Sequence, residues 1–433
     1  MSATLRGRRD DGADETFPPP LSEQPFVSVI LPVRNGAPQV AGALRALLDG
    51  DWPPDRLAVL VADGRSNDGT PALVRRIAAA DPHHRVTLLD NPARITPAGL
   101  NVALAAARGE VVVRLDAHAL PAPDYVRRCV AALRESGAWV AGGAMVGRGE
   151  GAFGRAVARA TALPLGTGGA AFRRPDAHGR EHGPSGGFGG RDQSAQSAGR
   201  AVDTVYLGAW PRAVLDRLGG FDEGLPTNQD YELCLRIRAS GGTVWLDPRI
   251  RSTTLTRGTP AALARQYHGY GRGRAATLRR HPRSLRLRQL APAAFTAGLV
   301  ALAAAAPWRP AARRGLAALS ASYTCVLFLA AHRAALAPPA RPPTTPLAPS
   351  GIGQPRRPAD PVDPQDERRR PAMPPEASVA TGHLVLAWAL MHLAWGTGFW
   401  RGLLCDARAD RGAAARGLVP GSPECAPIAE QSP

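Results

Sequence analysis

Leu57-AVLVADGRSNDG-Thr70 is an apolar, β-prone run that stops at an aspartate and passes into a turn of Gly, Ser, Asn and Asp. Such a run is what a strand buried on both faces looks like, and a helix opens directly behind it, with Pro71 in its first turn and Asp68 and Thr70 as N-capping side chains. The same texture extends outward on both sides. Candidate strands are Val27 to Leu31, Leu57 to Ala62, Val86 to Leu89 and Val111 to Leu115. Between them, Val40, Leu44, Leu47 and Leu48 share one helical face, and Leu100, Ala103, Leu104 and Ala107 share another. Alternating β and α segments predict an α/β fold with a parallel, doubly wound sheet, which binds ligands beyond the carboxyl ends of its strands. Asp63 and Asp116 both fall there.

Three acidic motifs stand in order: Asp63-GRSNDG-Thr70, Arg114-LDA-His118 and Asn228-QDYE-Leu233. The glycines around Asp63 let backbone approach a flat ligand, so its carboxylate suits a uracil or guanine N–H or a ribose hydroxyl. Asp68 reads as a cap. Asp116 and His118 are two residues apart, and in an extended segment both can face one ion. A hard carboxylate with an imidazole suits Mn²⁺ or Mg²⁺ beside a diphosphate, or leaves His118 touching a phosphate directly. The bland alternative for Asp116 is a strand-end aspartate capping the next turn. Asp230 follows Asn228 and Gln229, which would open a helix, and a helix N-terminus keeps a carboxylate ionised, as a general base requires. Glu232 points elsewhere on that helix and reads as structural.

The formal charge is +17, and every cation among the 53 Lys+Arg is arginine. The arginines are spread along the chain without a nucleic-acid module, so nucleic acid is not an expected partner. The dense segment Arg265 to Arg288 instead precedes an apolar stretch, as juxtamembrane arginine does. Five cysteines, with no Cys-x-x-Cys pair, suit reduced thiols in a cytosol-facing protein.

Residues 1–24 are polar, end in Pro18-Pro-Pro20 and read as a disordered leader without a secretory signal. The catalytic domain is expected over 25–288, with a Gly-, Ser- and Arg-rich mobile insertion at 173–200. Structure resumes with Val202 to Leu207, a helix from Pro211 to Leu218, another around Tyr231 to Ala239 and a strand from Thr243 to Leu246. Leu290 to Ala306 and Gly315 to Ala331 are uncharged stretches, and His383 to Leu404 carries one charge at Arg401, with Trp388, Trp395 and Trp400. They predict two membrane helices over 289–335 and a third over 379–404, joined by a Pro-rich linker at 336–378 and followed by a disordered tail at 405–433. Arg309, Arg313 and Arg314 between the first two oppose the positive-inside rule; a re-entrant or interfacial hairpin removes that conflict.

Phe26-VSVILPVRN-Gly36, Asp63-GRSNDG-Thr70, Arg114-LDA-His118 and Gly219-GFDE followed by Gln229-DYEL resemble glycosyltransferase family 2. Asn91-PARITPAGL-Asn101, the Asp-Ala-His triplet and Gln266-YHGYGRG-Arg274 are similar to its subgroup of succinoglycan-type exopolysaccharide transferases. The resemblance spans roughly residues 26 to 290, through several ordered motifs rather than one. It implies a GT-A fold, a doubly wound mixed sheet, followed by C-terminal transmembrane helices. It implies donor binding by Pro32, Asp63 and Asp116, a divalent Mn²⁺ or Mg²⁺ on Asp116 and His118, and Asp230 as catalytic base. Gln266, Tyr267, Tyr270 and Arg272 occupy the place of an acceptor- or phosphate-contacting motif, not in its processive form, so a single sugar addition is expected. His118 stands where a second Asp is commoner, and Gln229 replaces the acid that often precedes the base.

The function so implied is an inverting, metal-dependent glycosyltransferase at the cytoplasmic face of the inner membrane, multi-pass, moving one sugar from a nucleotide-sugar donor to a lipid-linked or polysaccharide acceptor in cell-envelope biosynthesis. Two alternatives belong to other classes. A nucleotidyltransferase would carry a Gly-rich basic loop after the first strand, which Pro32-VRNG-Ala37 matches only weakly. A catalytically inactive membrane-anchored binding protein would have no need of all three acids.

Overall fold

The computed structural model describes residues 17–168, 170–173, 199–284, 286–336 and 379–406. It opens with Val27–Val33 (β1), Ala37–Leu48 (α1), Leu57–Asp63 (β2), Thr70–Ala80 (α2), Val86–Asp90 (β3), Thr96–Ala106 (α3) and Val111–Arg114 (β4). β1 pairs in parallel with β2 and β4, and β2 with β3, so the strands lie in the order β3-β2-β1-β4. Every residue of β1 is buried because successive side chains enter opposite cores. Val29 and Leu31 meet Val40, Leu44 and Leu47 of α1 and Val74 of α2. Ile30 meets Leu100, Ala103 and Leu104 of α3 on the other face. Pro32 is tolerated in this central strand because pairing with β4 ends at Ile30 opposite Arg114. Its missing N–H therefore falls on the side where no ladder continues.

After β4 come Ala119–Pro121 (β5), Tyr125–Ser136 (α4), Val140–Arg148 (β6), Gly151–Ala162 (α5), Pro164–Thr167 (α6), Arg200–Ala201 (β7), Tyr206–Pro211 (β8), Arg212–Leu218 (α7), Gln229–Ala239 (α8) and Val244–Leu255 (β9). β8 runs antiparallel between β4 and β6, while β6 is parallel to β9. β5 and β7 both pair antiparallel with β9. The sheet is therefore mixed, correcting the purely parallel expectation drawn from β/α alternation and agreeing with the one implied by the family resemblance. The expected strand from Thr243 to Leu246 is only the start of β9. The register then jumps, Gly143 facing Asp247 and Ala144 facing Arg251, because Pro248 cannot continue a ladder. Gly143 is required there: a Cβ would lie 2.0 Å from the Ile250 carbonyl oxygen.

Four longer helices complete the described chain: Pro260–Arg280 (α9), Leu287–Ala305 (α10), Pro310–Leu336 (α11) and Thr381–Arg401 (α12). Thr259 caps α9 by accepting from Ala262 N at 3.3 Å. α12 lies against α9 with backbones in near contact. A Cβ on Gly271 would sit 2.1 Å from the Trp395 carbonyl oxygen, and one on Gly398 would sit 2.1 Å from that of His268. On another face of α12, Leu384, Ala387, Trp388 and Met391 join Val157 and Ala160 of α5 and Leu263 and Tyr267 of α9 in a common core.

This packing revises the C-terminal reading. Of the three expected spans, one described helix, α11, is long and apolar enough to cross a membrane, with mean hydropathy 1.5 and 11% of its most apolar window buried. α12 buries Trp388 and Met391 in a core shared with α5, α9 and Leu327 and Ala331 of α11. The basic lead-in also changes character. Arg274 donates to the Ser284 carbonyl, Arg279 to that of Gly402, and Arg280 pairs with Asp222 at 2.9 Å, so these cations are engaged by partners within the protein. Residues 1–16 of the expected leader lie outside the described residues, and the rest of it packs on the domain: Phe17 meets Trp139 with ring centroids 4.7 Å apart, and Ser22 bonds Glu110 through N and Oγ at 2.7 and 2.6 Å. Residues 174–198, 337–378 and 407–433, on which most of the expected insertion, linker and tail fall, lie outside the described residues.

Candidate active site

Asp63 ends β2, level with Val33 of β1 and Asp90 of β3. It is buried, its Oδ2 accepts from Ser66 N at 3.0 Å, and its Oδ1 has no partner among the described residues. A buried carboxylate oxygen left open is an acceptor waiting for a donor. Asn91, one residue beyond β3, is buried too and leaves its Oδ1 open while Nδ2 donates to Ile95 O at 3.0 Å. The turns beside them are braced by side chains. Asp68 accepts from Ala37 N and Thr70 N, each at 3.1 Å, tying the first N–H of α1 to that of α2. Asn35, at φ 50°, accepts from Asn67 N at 3.0 Å and donates its N–H to Ser66 Oγ at 2.8 Å. Pro32, opposite Ala62, packs into the sheet beneath Gly99 rather than lining the turn.

Asp116 lies just past β4 and is gripped by Arg114, whose Nε and Nη2 donate to Oδ1 at 2.9 Å and Oδ2 at 3.3 Å. Both side chains are nearly buried, 6% exposed for Arg114 and 13% for Asp116. Burial disfavours each charge, but the pair offsets it. Asp116 is held below the usual carboxylate range by the Arg114 charge, by His118 and by the Arg114 hydrogen bond. Arg114 is held firmly protonated by two carboxylates, Asp116 and Asp230. His118 is driven below the ordinary imidazole value mainly by burial, with Arg257 and Arg114 adding and Asp116 opposing. A neutral imidazole beside an ionised carboxylate is a donor set that a divalent cation accepts, the remaining ligands coming from a diphosphate. Among the described residues no group of three or more His, Cys, Asp or Glu forms a closed metal cage.

Asp230 stands in the first turn of α8, behind Asn228 at φ 73°, and is half-buried. Its Oδ1 accepts from Tyr231 N at 2.8 Å. Arg114 feels the charge of Asp230 as well as that of Asp116, so the two acids act on one guanidinium from different elements. Glu232 is indeed spent on structure. It pairs with Arg236 at 2.8 Å and His281 at 3.0 Å, and Arg236 in turn donates to the carbonyls of Leu218 and Gly220 at 2.6 and 2.7 Å.

On α9, Gln266 and Tyr270 lie one turn apart, with Nε2 donating to the Tyr270 hydroxyl at 3.0 Å. Tyr267 is buried beside Tyr270, ring centroids 5.4 Å apart. Asp230, Arg173 and Arg257 all act on the Tyr270 hydroxyl, so this tyrosine shares the cleft with Asp230. Arg272 is turned away, pairing with Asp406 beyond α12 at 3.0 Å. The structure thus brings Asp116, His118, Asp230, Gln266 and Tyr270 to one region and leaves Arg272 outside it.

Several cleft residues were missed from sequence. Arg114 is the main one, and a signal was present: a cation two residues before Asp116 in an extended segment shares its side of the strand. Tyr206, which opens β8, is 3.2 Å from Thr254 Oγ1 and feels both Asp116 and Arg114. Arg173 and Arg257 lie far apart in sequence and only the fold unites them.

Comparison with known proteins places this arrangement. The family model for glycosyl transferase family 2 matches residues 28–191. The succinoglycan biosynthesis protein ExoA of Rhizobium meliloti is 30% identical over 381 residues, 87% of this chain and 94% of that protein. The dolichyl N-acetyl-alpha-D-glucosaminyl phosphate 3-beta-D-2,3-diacetamido-2,3-dideoxy-beta-D-glucuronosyltransferase of Methanococcus voltae is 21% identical over 59% of this chain and 74% of its own length. Among solved structures, the mannosyltransferase PcManGT from Pyrobaculum calidifontis in complex with GDP-Man and Mn²⁺ is 26% identical, covers 73% of this chain and 84% of that one, and has a TM-score of 0.48. The chain is a glycosyltransferase. It belongs to glycosyltransferase family 2, with a GT-A-like mixed sheet in which Asp63 ends a strand, Asp116 follows one and Asp230 opens a helix.

Proposed function

We propose that the protein is an inverting, metal-dependent glycosyltransferase that moves one sugar from a nucleotide-sugar donor to a lipid-linked or glycan acceptor in exopolysaccharide or other cell-envelope synthesis, at the cytoplasmic face of a membrane. The observation that supports this reading is that the buried Arg114 guanidinium, hydrogen-bonded to Asp116, also feels the charge of Asp230. In this reading a donor-side acid from just beyond β4 and a base from the first turn of α8 serve one reaction. The relation to a succinoglycan biosynthesis protein over most of the chain supports the choice of pathway class.

In this reading Asp63 accepts a hydrogen bond from the donor's base or ribose through its open Oδ1. Asp116 and His118 are the residues that would hold a divalent cation, which when bound offsets the charge gathering on the departing diphosphate. Arg114 keeps Asp116 ionised and fixed. Asp230 takes the proton of the acceptor hydroxyl as its oxygen attacks the anomeric carbon and the bond to the nucleoside diphosphate breaks. A single displacement of this kind needs one base and inverts the anomeric centre. Gln266 and Tyr270 orient the acceptor. α11, the helix long and apolar enough to cross a bilayer, supplies the membrane attachment.

The test is donor turnover by the full-length protein with Mn²⁺ or Mg²⁺ across a panel of UDP- and GDP-sugars. Sugar transfer by the wild type and its loss in Asp230→Asn is the expected result. Release of pyrophosphate from a nucleoside triphosphate would instead favour a nucleotidyltransferase.

A further inference from the structure

The cations of α9 are largely committed to the protein itself. Arg272 pairs with Asp406; Arg274 donates to the Ser284 carbonyl and lies 4.5 Å from the Tyr231 ring; Arg280 pairs with Asp222. Two arginines from other elements act on the same tyrosine as Asp230 does. Arg257 lies in the turn between β9 and α9, exposed, and Arg173 ends the short 3-10 turn Ala171–Arg173. Among the described residues neither has a carboxylate partner.

Their placement follows a chain of contacts. The Arg173 guanidinium lies over the Phe172 ring at 5.6 Å, Phe172 stacks on Tyr206 at 6.0 Å, and the Tyr206 hydroxyl meets Thr254 Oγ1 at 3.2 Å. Thr254 pairs with Ala119, next in the chain to His118, and Arg257 follows three residues on. The charges of Arg173 and Arg257 both reach the Tyr270 hydroxyl, and that of Arg257 also reaches His118. Among the described residues, two guanidiniums without carboxylate partners are thus tied by these contacts to the strand that pairs beside His118, and both act on Tyr270. Planar guanidinium forks match phosphate oxygens, and a pair of them without acidic partners is suited to a multiply charged anion.

We propose that Arg173 and Arg257 form a phosphate-binding pair at the active site, taking the role that the sequence assigns to Arg272. This rests on the glycosyltransferase reading and deepens it, since two substrates of such a reaction can present phosphate: the donor through its diphosphate, and a lipid-linked acceptor through its phosphate link.

The experiment uses the full-length protein in detergent micelles, as wild type, Arg173→Gln, Arg257→Gln, the double variant and the two Arg→Lys variants. Binding of UDP and GDP with Mn²⁺ is measured beside binding of a polyprenyl diphosphate. Each Gln variant weakens one of these probes on the order of tenfold, the double variant weakens it further, and Lys restores part of the loss. Weakening confined to UDP and GDP assigns the pair to the donor, and weakening confined to the polyprenyl diphosphate assigns it to the acceptor. Affinities for both probes within twofold of wild type in all variants would overturn the pair, as would a wild type that binds neither. The failure of the parent reading looks different: phosphate binding that depends on both arginines, with no sugar transfer by the wild type from any donor.

Discussion

Arg114 is a buried cation that grips Asp116, just past β4, and feels the charge of Asp230 in α8. Arg114→Met leaves Asp116 buried without its partner, so unfolding free energy is expected to fall by about 3–5 kcal/mol. Arg114→Lys restores the charge but not the two-point grip and recovers only part of it. Chemical denaturation of the three proteins measures both. The open Oδ1 of Asp63 leads to a separate expectation: Asp63→Asn weakens nucleoside diphosphate binding on the order of tenfold, read by calorimetric titration. Asp63 and Asp116 stood out in the sequence because each follows an apolar, β-prone run, and Asp230 because it opens a helix after Asn228 and Gln229. Arg114 did not, since a buried arginine looks like any other in a chain so rich in arginine. Arg272 shows the converse: its motif pointed to the cleft, but its partner Asp406 lies 134 residues away in sequence, a pairing no local pattern reveals.

At the scale of elements, the strands buried on both faces could be read directly, whereas β6 could not. Its sequence VAGGAMVGR has neither apolar alternation nor a β-branched run, because Gly143 is selected by close approach to β9 and not by strand propensity. The α9–α12 contact has the same origin. Gly398→Leu would drive a side chain into the His268 carbonyl, so α9 must move, and the expected cost is about 1–3 kcal/mol or more. Because α9 carries Gln266 and Tyr270, turnover should fall more than stability does, which parallel activity assays and thermal melts will resolve. α2 ends on a further pair, Asp81 with Arg85 at 2.8 Å, their side chains 1% and 8% exposed. The Arg85 hydrogen bond is the main cause holding the Asp81 carboxyl below its ordinary value. Its stabilisation is complete above the unfolded value, about 3.9, and is lost as pH falls through the lower folded value. Urea melts between neutral and strongly acidic pH should show that loss in the wild type, and Asp81→Asn should be less stable at neutral pH and lack this contribution to the acid-side decline.

For the whole molecule, charge and hydropathy patterns suggested three spans and a lipid-facing basic segment, while packing leaves one long apolar helix exposed and engages much of the basic segment within the protein. A helix buried within protein and one buried in lipid are both apolar, so hydropathy alone does not separate α12 from a span. Val326, Phe328 and Leu329 of α11 are 53–55% exposed, a face that a bilayer would cover. Replacing all three by Arg, at about 2.5–3.5 kcal/mol each near a bilayer centre, should release the protein from membranes washed with alkaline carbonate, whereas the wild type should stay in the pellet. The central claim, that Asp230 is the base of a sugar transfer fed by the Asp63 and Asp116 donor site, is tested most directly by comparing wild type and Asp230→Asn. Turnover of a radiolabelled nucleotide sugar would be measured beside nucleoside diphosphate affinity in the same preparations. The expected result is a loss of about 10²–10⁴-fold in kcat with affinity within twofold. Full turnover by Asp230→Asn would contradict the account.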